Sequence, residues 1–195
     1  MQNLLHTPIG EGFPNTINSI VEIPKDTNAK YEYDIKSGLL KLDRCLISSM
    51  RYPASYGFVP QTISDDGDPL DILIYSNVPI QSLVLVEVRP IGALHMIDDG
   101  IDDYKVLGIP TFNPNNLNKL SDLDPLLLEV IEDFFEHYKN NDRKKKGTVK
   151  INGWVDLDTT LSLVRKSHET YQHKYGREIV VGYDEKRIIK KMILG

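Results

Sequence analysis

Apolar residues recur along the first two-thirds of the chain in short runs, many of them alternating with polar positions. The runs fall at 18–23, 30–35, 39–46, 71–75, 83–94, 104–109 and 148–155, with Gly, Pro, Asn and Asp between them. Alternation puts successive side chains on opposite faces of a pleated strand, and turn residues at this spacing predict many short strands closed into a barrel or sandwich. Lys36-Ser37-Gly38 reads as the turn of a hairpin. The period then changes. Over 125–139, Leu127, Ile131, Phe134 and Tyr138 fall on one helical stripe, with Asp124 as N-cap and Pro125 in the first turn. A second helix is predicted over 159–175, between Asp158 as N-cap and Gly176 as C-cap, with Leu161, Val164, Tyr171 and Tyr175 on its apolar side. The remainder, 177–195, admits a short strand, a turn and a basic helix. The expected organisation is a single domain over 1–195, with 177–195 an extension of uncertain structure.

The chain has 195 residues, 41% hydrophobic and 26% charged, and a formal charge of −5. Length and balance fit one domain with a real core. The acidic charge argues against a nucleic-acid partner. No apolar run is long enough to span a membrane, and the N-terminal segment lacks the pattern of a secretory signal. A lone cysteine, Cys45, fits a reducing cytoplasm and reads as a buried structural residue.

Chemistry concentrates in two acidic loops. Asp65-Asp66-Gly67-Asp68-Pro69-Leu70-Asp71 holds several carboxylates on a backbone that Gly67 and Pro69 force to turn, and Asp71 opens an apolar run. Asp98-Asp99-Gly100-Ile101-Asp102-Asp103-Tyr104-Lys105 repeats the theme, with a lysine at its end. Crowded carboxylates repel unless a cation lies among them, and oxygen-only donors suit magnesium, manganese or calcium. Each loop taken alone could equally be an acidic surface turn. His168 and His173 are five apart, which excludes the four-residue spacing of a zinc-protease helix. Arg143-Lys144-Lys145-Lys146 reads as a solvated turn.

In order along the chain, VEIP (21–24), KYEYD (30–34), LDR (42–44), YPASYGFVP (52–60), DGDPLD (66–71), RPIGAL (89–94), MIDDGIDDYK (96–105), FFEHYK (134–139) and VKINGW (149–154) resemble the family I soluble inorganic pyrophosphatases of bacterial type. The resemblance covers about residues 13–165. It implies a mainly β, α+β fold: a closed five-stranded OB-type barrel flanked by helices. It implies hydrolysis of pyrophosphate to two orthophosphates, with Asp66, Asp71 and Asp103 holding one metal and Asp71 sharing a second. Asp98 and Asp103 would hold a third, and Glu32 would touch a fourth. Asp68 is then the general base, and Lys30, Arg44, Lys105, Tyr138 and Lys139 bind phosphate. Glu22 and Tyr56 support the site, Tyr56 also meeting substrate; Lys30, Arg44 and Tyr56 join Asp68 in the catalytic set. Three to four magnesium ions per site are implied, with manganese or zinc as substitutes and calcium as an inhibitor. A cytoplasmic homohexamer, with no membrane or nucleic-acid partner, completes the expectation. The competing readings are a non-catalytic OB-type binding module and a calcium-stabilised structural protein.

Overall fold

The computed structural model describes residues 3–194, except 48, 116 and 140–147, with side chains described as far as Gly176. Among the described residues, eight strands and two α-helices follow one another: β1 (Ile17–Ile23), β2 (Ala29–Asp34), β3 (Leu39–Cys45), β4 (Ser55–Phe58), β5 (Asp71–Ile74), β6 (Leu85–Asp98), β7 (Ile101–Pro110), α1 (Pro125–His137), β8 (Val149–Val155) and α2 (Leu157–Leu194). The main sheet runs β1-β4-β5-β7-β6-β8, and β1 also pairs with β6. That extra pairing closes β1, β4, β5, β7 and β6 into a ring of five, the expected barrel, and leaves no free edge within the ring. β8 extends the sheet from β6. β2 and β3 stand apart as a two-stranded hairpin.

Alternation sorts most of the core into two clusters, beside a smaller third one of Leu5, Ile20 and Phe58. Ile72, Ile74, Val88 and Val106 pack with Val21 and with Val164 of α2. Leu73, Leu107 and Ile109 face the other way and pack with Tyr52, Tyr56 and Ile131, Phe134 and Phe135 of α1. Asp71, Asp103 and Lys105 share the parity of Leu73 and Leu107, so the polar ends of β5 and β7 emerge on the α1 side. β1 and β4 approach closely at Gly57, where a Cβ would stand 1.9 Å from the Ile20 carbonyl oxygen.

The strand-and-helix order matches the sequence pattern, with local differences. β4 was not among the predicted runs. Ser-Tyr-Gly-Phe is buried at all four positions, so it shows no alternation. α1 is capped by the Asp124 carboxylate, which accepts the Leu126 amide at 3.0 Å. The expected cap of α2, Asp158, lies inside the helix. Asp156 takes that role, accepting the Thr159 amide at 2.9 Å. Gly176 does not end α2, whose backbone continues as one helix to Leu194 in place of a strand and turn. Glycine is permissive and not obligatory as a stop. Cys45 is exposed, because its hairpin is covered on little of its surface. The basic run 143–146 lies outside the described residues. Among those residues, no helix is long and apolar enough to cross a membrane.

Candidate active site

Elements far apart in the chain open onto one cavity of about 320 Å³. Register explains how. β5 runs parallel to β7 with Asp71 opposite Lys105, and Asp103 lies two residues earlier on the same face. The Lys105 ammonium is enclosed, 2.7 Å from an Asp103 oxygen and also bonded to Asp71. Burial alone would lower its pKa, but Asp71 and Asp103 overcome that and raise it. Lys30 pairs with Arg44 across the β2–β3 hairpin, and Lys30 also reaches Glu32 at 2.5 Å. Glu22 sits where the β1–β4 register shifts between Val21 and Ile23, so this extra residue enters the cavity wall. Asp98 ends β6, and its Oδ2 meets the Lys139 ammonium just past α1. Asp66 and Asp68 come from the β4–β5 loop, where the Asp68 amide donates to Asp66 Oδ1 at 3.0 Å.

All thirteen residues expected at the site line this cavity: Glu22, Lys30, Glu32, Arg44, Tyr56, Asp66, Asp68, Asp71, Asp98, Asp103, Lys105, Tyr138 and Lys139. Their crowding shifts protonation. Burial pushes the Glu22 carboxyl up to about 8, against the opposing pull of the Tyr33 amide. Burial, then Asp66 and Asp71, raise Asp68; burial raises Asp103 despite Lys105. Burial also holds the Tyr56 and Tyr138 phenols well above their ordinary value, so both keep their protons. Tyr138 packs its ring against Phe134, centroids 5.5 Å apart, while lining the cavity.

Among the described residues no three acids form a ready-made metal cage. Lys105 stands between Asp71 and Asp103, giving those carboxylates a protein counter-charge. The donor set nevertheless fits hard divalent cations. It consists of carboxylate oxygens, and Asp98 Oδ1 is buried without a hydrogen-bond partner.

Reasoning from sequence left out several wall residues. Tyr52 is buried beside Tyr56, Leu5 comes from the N-terminal segment, and Tyr33 and Ile35 come from the hairpin. Asp43, 3.7 Å from Lys30 and 3.6 Å from Arg44, was given no role either. Its only signal was a place in the LDR motif.

The profile of the family described as inorganic pyrophosphatase matches residues 19–172. The chain belongs to the inorganic pyrophosphatase family. An inorganic pyrophosphatase from Caulobacter vibrioides is 40% identical over 172 residues, spanning 86% of this chain and 96% of the relative. One from Agrobacterium fabrum is 43% identical over 169 residues, or 84% and 94%. The crystal structure of the Thermus thermophilus inorganic pyrophosphatase superposes with a TM-score of 0.85 at 38% identity, covering 88% of this chain and 99% of that one. The chain is therefore an enzyme of pyrophosphate hydrolysis in a metal-dependent family, and the binding-module alternative falls. Residues 173–195 lie beyond the matched span.

Proposed function

We propose that pyrophosphate is hydrolysed in this cavity by direct attack of water, with magnesium as the cofactor. When bound, the cations supply Lewis acidity that makes a water more acidic and offset the negative charge of the substrate. Asp66, Asp71 and Asp103, flanked by Asp98 and Glu32, are the residues that would hold them. Three to four ions are proposed, since seven acidic side chains outnumber four basic ones before a polyanionic substrate enters. Manganese or zinc would substitute.

Asp68 takes the proton of the attacking water. Asp68 lines the cavity beside Asp66 and Asp71 and is not among the residues that would hold the cations, which leaves its carboxylate to accept a proton. Lys30, Arg44, Lys105 and Lys139 supply positive charge to the phosphoryl oxygens. Tyr56 and Tyr138, held protonated, donate neutral O–H groups without adding charge. Lys105 is free to serve substrate once its two carboxylates have cations to face. Glu22 supports the wall through the Tyr33 amide, which it accepts at 2.7 Å. We extend the proposal to a single functional domain over 1–195, working in the cytoplasm as a homohexamer.

The convergence of thirteen side chains on one cavity, with Lys105 enclosed between Asp71 and Asp103, carries this reading. A colorimetric phosphate assay tests it. Orthophosphate should appear from pyrophosphate with magnesium and stop when a chelator is added. Calcium, whose coordination is larger and looser, should give near-background release and inhibit in competition. Release that persists in excess chelator, or runs equally fast with calcium, would remove the magnesium assignment.

A further inference from the structure

A two-stranded hairpin is marginally stable by itself. Here such a hairpin, most of whose side chains are half-buried or exposed, carries Lys30, Glu32 and Arg44. Its base is tied by backbone bonds, Leu46 amide to Asn28 carbonyl and Tyr52 amide to Thr27 carbonyl. Further out, Tyr33 provides three separate fastenings. Its amide donates to Glu22 at 2.7 Å. Its ring lies near-parallel to Phe58, 29° between planes and 6.0 Å between centroids. Its hydroxyl oxygen accepts the Leu4 amide at 3.1 Å.

The third fastening reaches a segment that precedes the family-matched span. Leu4–His6 form a single 3₁₀ turn, whose start is fixed by the Asn3 side chain accepting the Leu5 amide at 3.0 Å. Leu5 is buried against Phe58 and Ile20, and its carbonyl accepts the Gln61 amide at 2.9 Å. One residue on, the His6 ring Nδ1 is 2.5 Å from the hydroxyl of Tyr171, a buried residue of α2. The connection therefore runs from α2, through three consecutive residues of the N-terminal segment, to the strand carrying Lys30 and Glu32.

We infer that residues 4–6 and Tyr33 form a brace that holds the β2–β3 hairpin at the cavity, making Tyr33 a positioning residue for Lys30 and Glu32. The inference rests on the pyrophosphatase reading for its kinetic consequence. The Tyr33 hydroxyl is engaged by the Leu4 amide, so its loss loosens the strand that carries Lys30 and Glu32 and weakens how firmly phosphate is gripped. The proton transfer assigned to Asp68 is left alone.

Tyr33→Phe keeps the ring on Phe58 and removes only the hydroxyl; His6→Ala separates the segment from Tyr171. Initial rates against pyrophosphate in saturating magnesium should show KM raised roughly two- to tenfold by Tyr33→Phe, the size of one net hydrogen bond. kcat should stay within about twofold, and His6→Ala should shift KM in the same direction. Hydrogen exchange, followed for the amides of 30–34 in the same proteins, should be faster in both variants with little change in Tm. Unchanged KM and exchange in both variants would overturn the brace. So would a fall in kcat at constant KM, which would place Tyr33 in the chemistry. The exchange comparison stands without turnover, so a wild-type chain releasing no phosphate would refute the functional reading while the brace is still judged by its amides.

Discussion

Asp103 and Asp71 meet at Lys105, and the free energy of that arrangement depends on how many charges the pocket holds. Substituting an acid there by its amide keeps shape and hydrogen-bonding capacity while deleting a charge. Asp68→Asn should lower kcat by about a hundredfold or more, the scale of a lost general base, with the folded structure retained by circular dichroism. Asp103→Asn should be similarly inactive, through lost cation binding. Wild-type turnover in either variant would cancel the role given to that residue. Glu22 carries a second prediction. Its folded pKa, about 8, lies above the ordinary value of 4.5, so the native chain holds a proton there that the unfolded chain releases. Stability from this group is intact below about pH 4.5 and is lost as pH rises through 8. Asp68 and Asp103 are raised as well and push the same way. In a chelator-containing buffer, denaturant midpoints should therefore fall between pH 5 and 8, by an amount on the order of a few kcal/mol at most. Glu22→Gln should flatten that slope.

The elements differ in how openly they announce themselves. α1 was legible because cap, proline and apolar stripe all agree at Asp124, Pro125, Ile131 and Phe134. β2 and β3 were legible from alternation and from Gly38, whose φ of 69° suits the turn. β4 was not, because a strand buried on both faces has no period to read. The start of α2 was misplaced by two residues because Asp156 and Asp158 are equally good caps by type. Only the geometry of the β8–α2 connection, with the Thr160 amide on the Asp156 carbonyl, selects the first. The β1–β4 contact gives the prediction at this scale. Gly57→Ala would drive a methyl against the Ile20 carbonyl, and main chain cannot yield as a flexible side chain would. We expect a loss of about 3 kcal/mol or more, measured by urea denaturation, with exchange protection falling first along β1 and β4. An unperturbed midpoint would mean that the two strands can separate at little cost.

For the molecule as a whole, exposed apolar side chains cluster where the chain enters β6, at Leu83, Val84 and Leu85, and others lie on α1 at Leu126 and Val130. Apolar surface of this kind is a reason for assembly. Sedimentation velocity should give a particle of six 22.2 kDa chains; a monomer at micromolar concentration would contradict the hexamer proposal. The sequence by itself determined the strand-rich first part and the helices that follow it, which are written in local spacing, and the two acidic loops, which are written in residue type. The thirteen side chains expected at the cavity came from the ordered motifs that resemble the pyrophosphatase family. Tertiary structure decided which strands close the ring, that Lys105 falls opposite Asp71, and that Tyr33 meets the N-terminal segment and, through it, α2. Such pairings join residues distant in the chain. Their geometry depends on register and burial summed over the whole barrel, which no local pattern encodes.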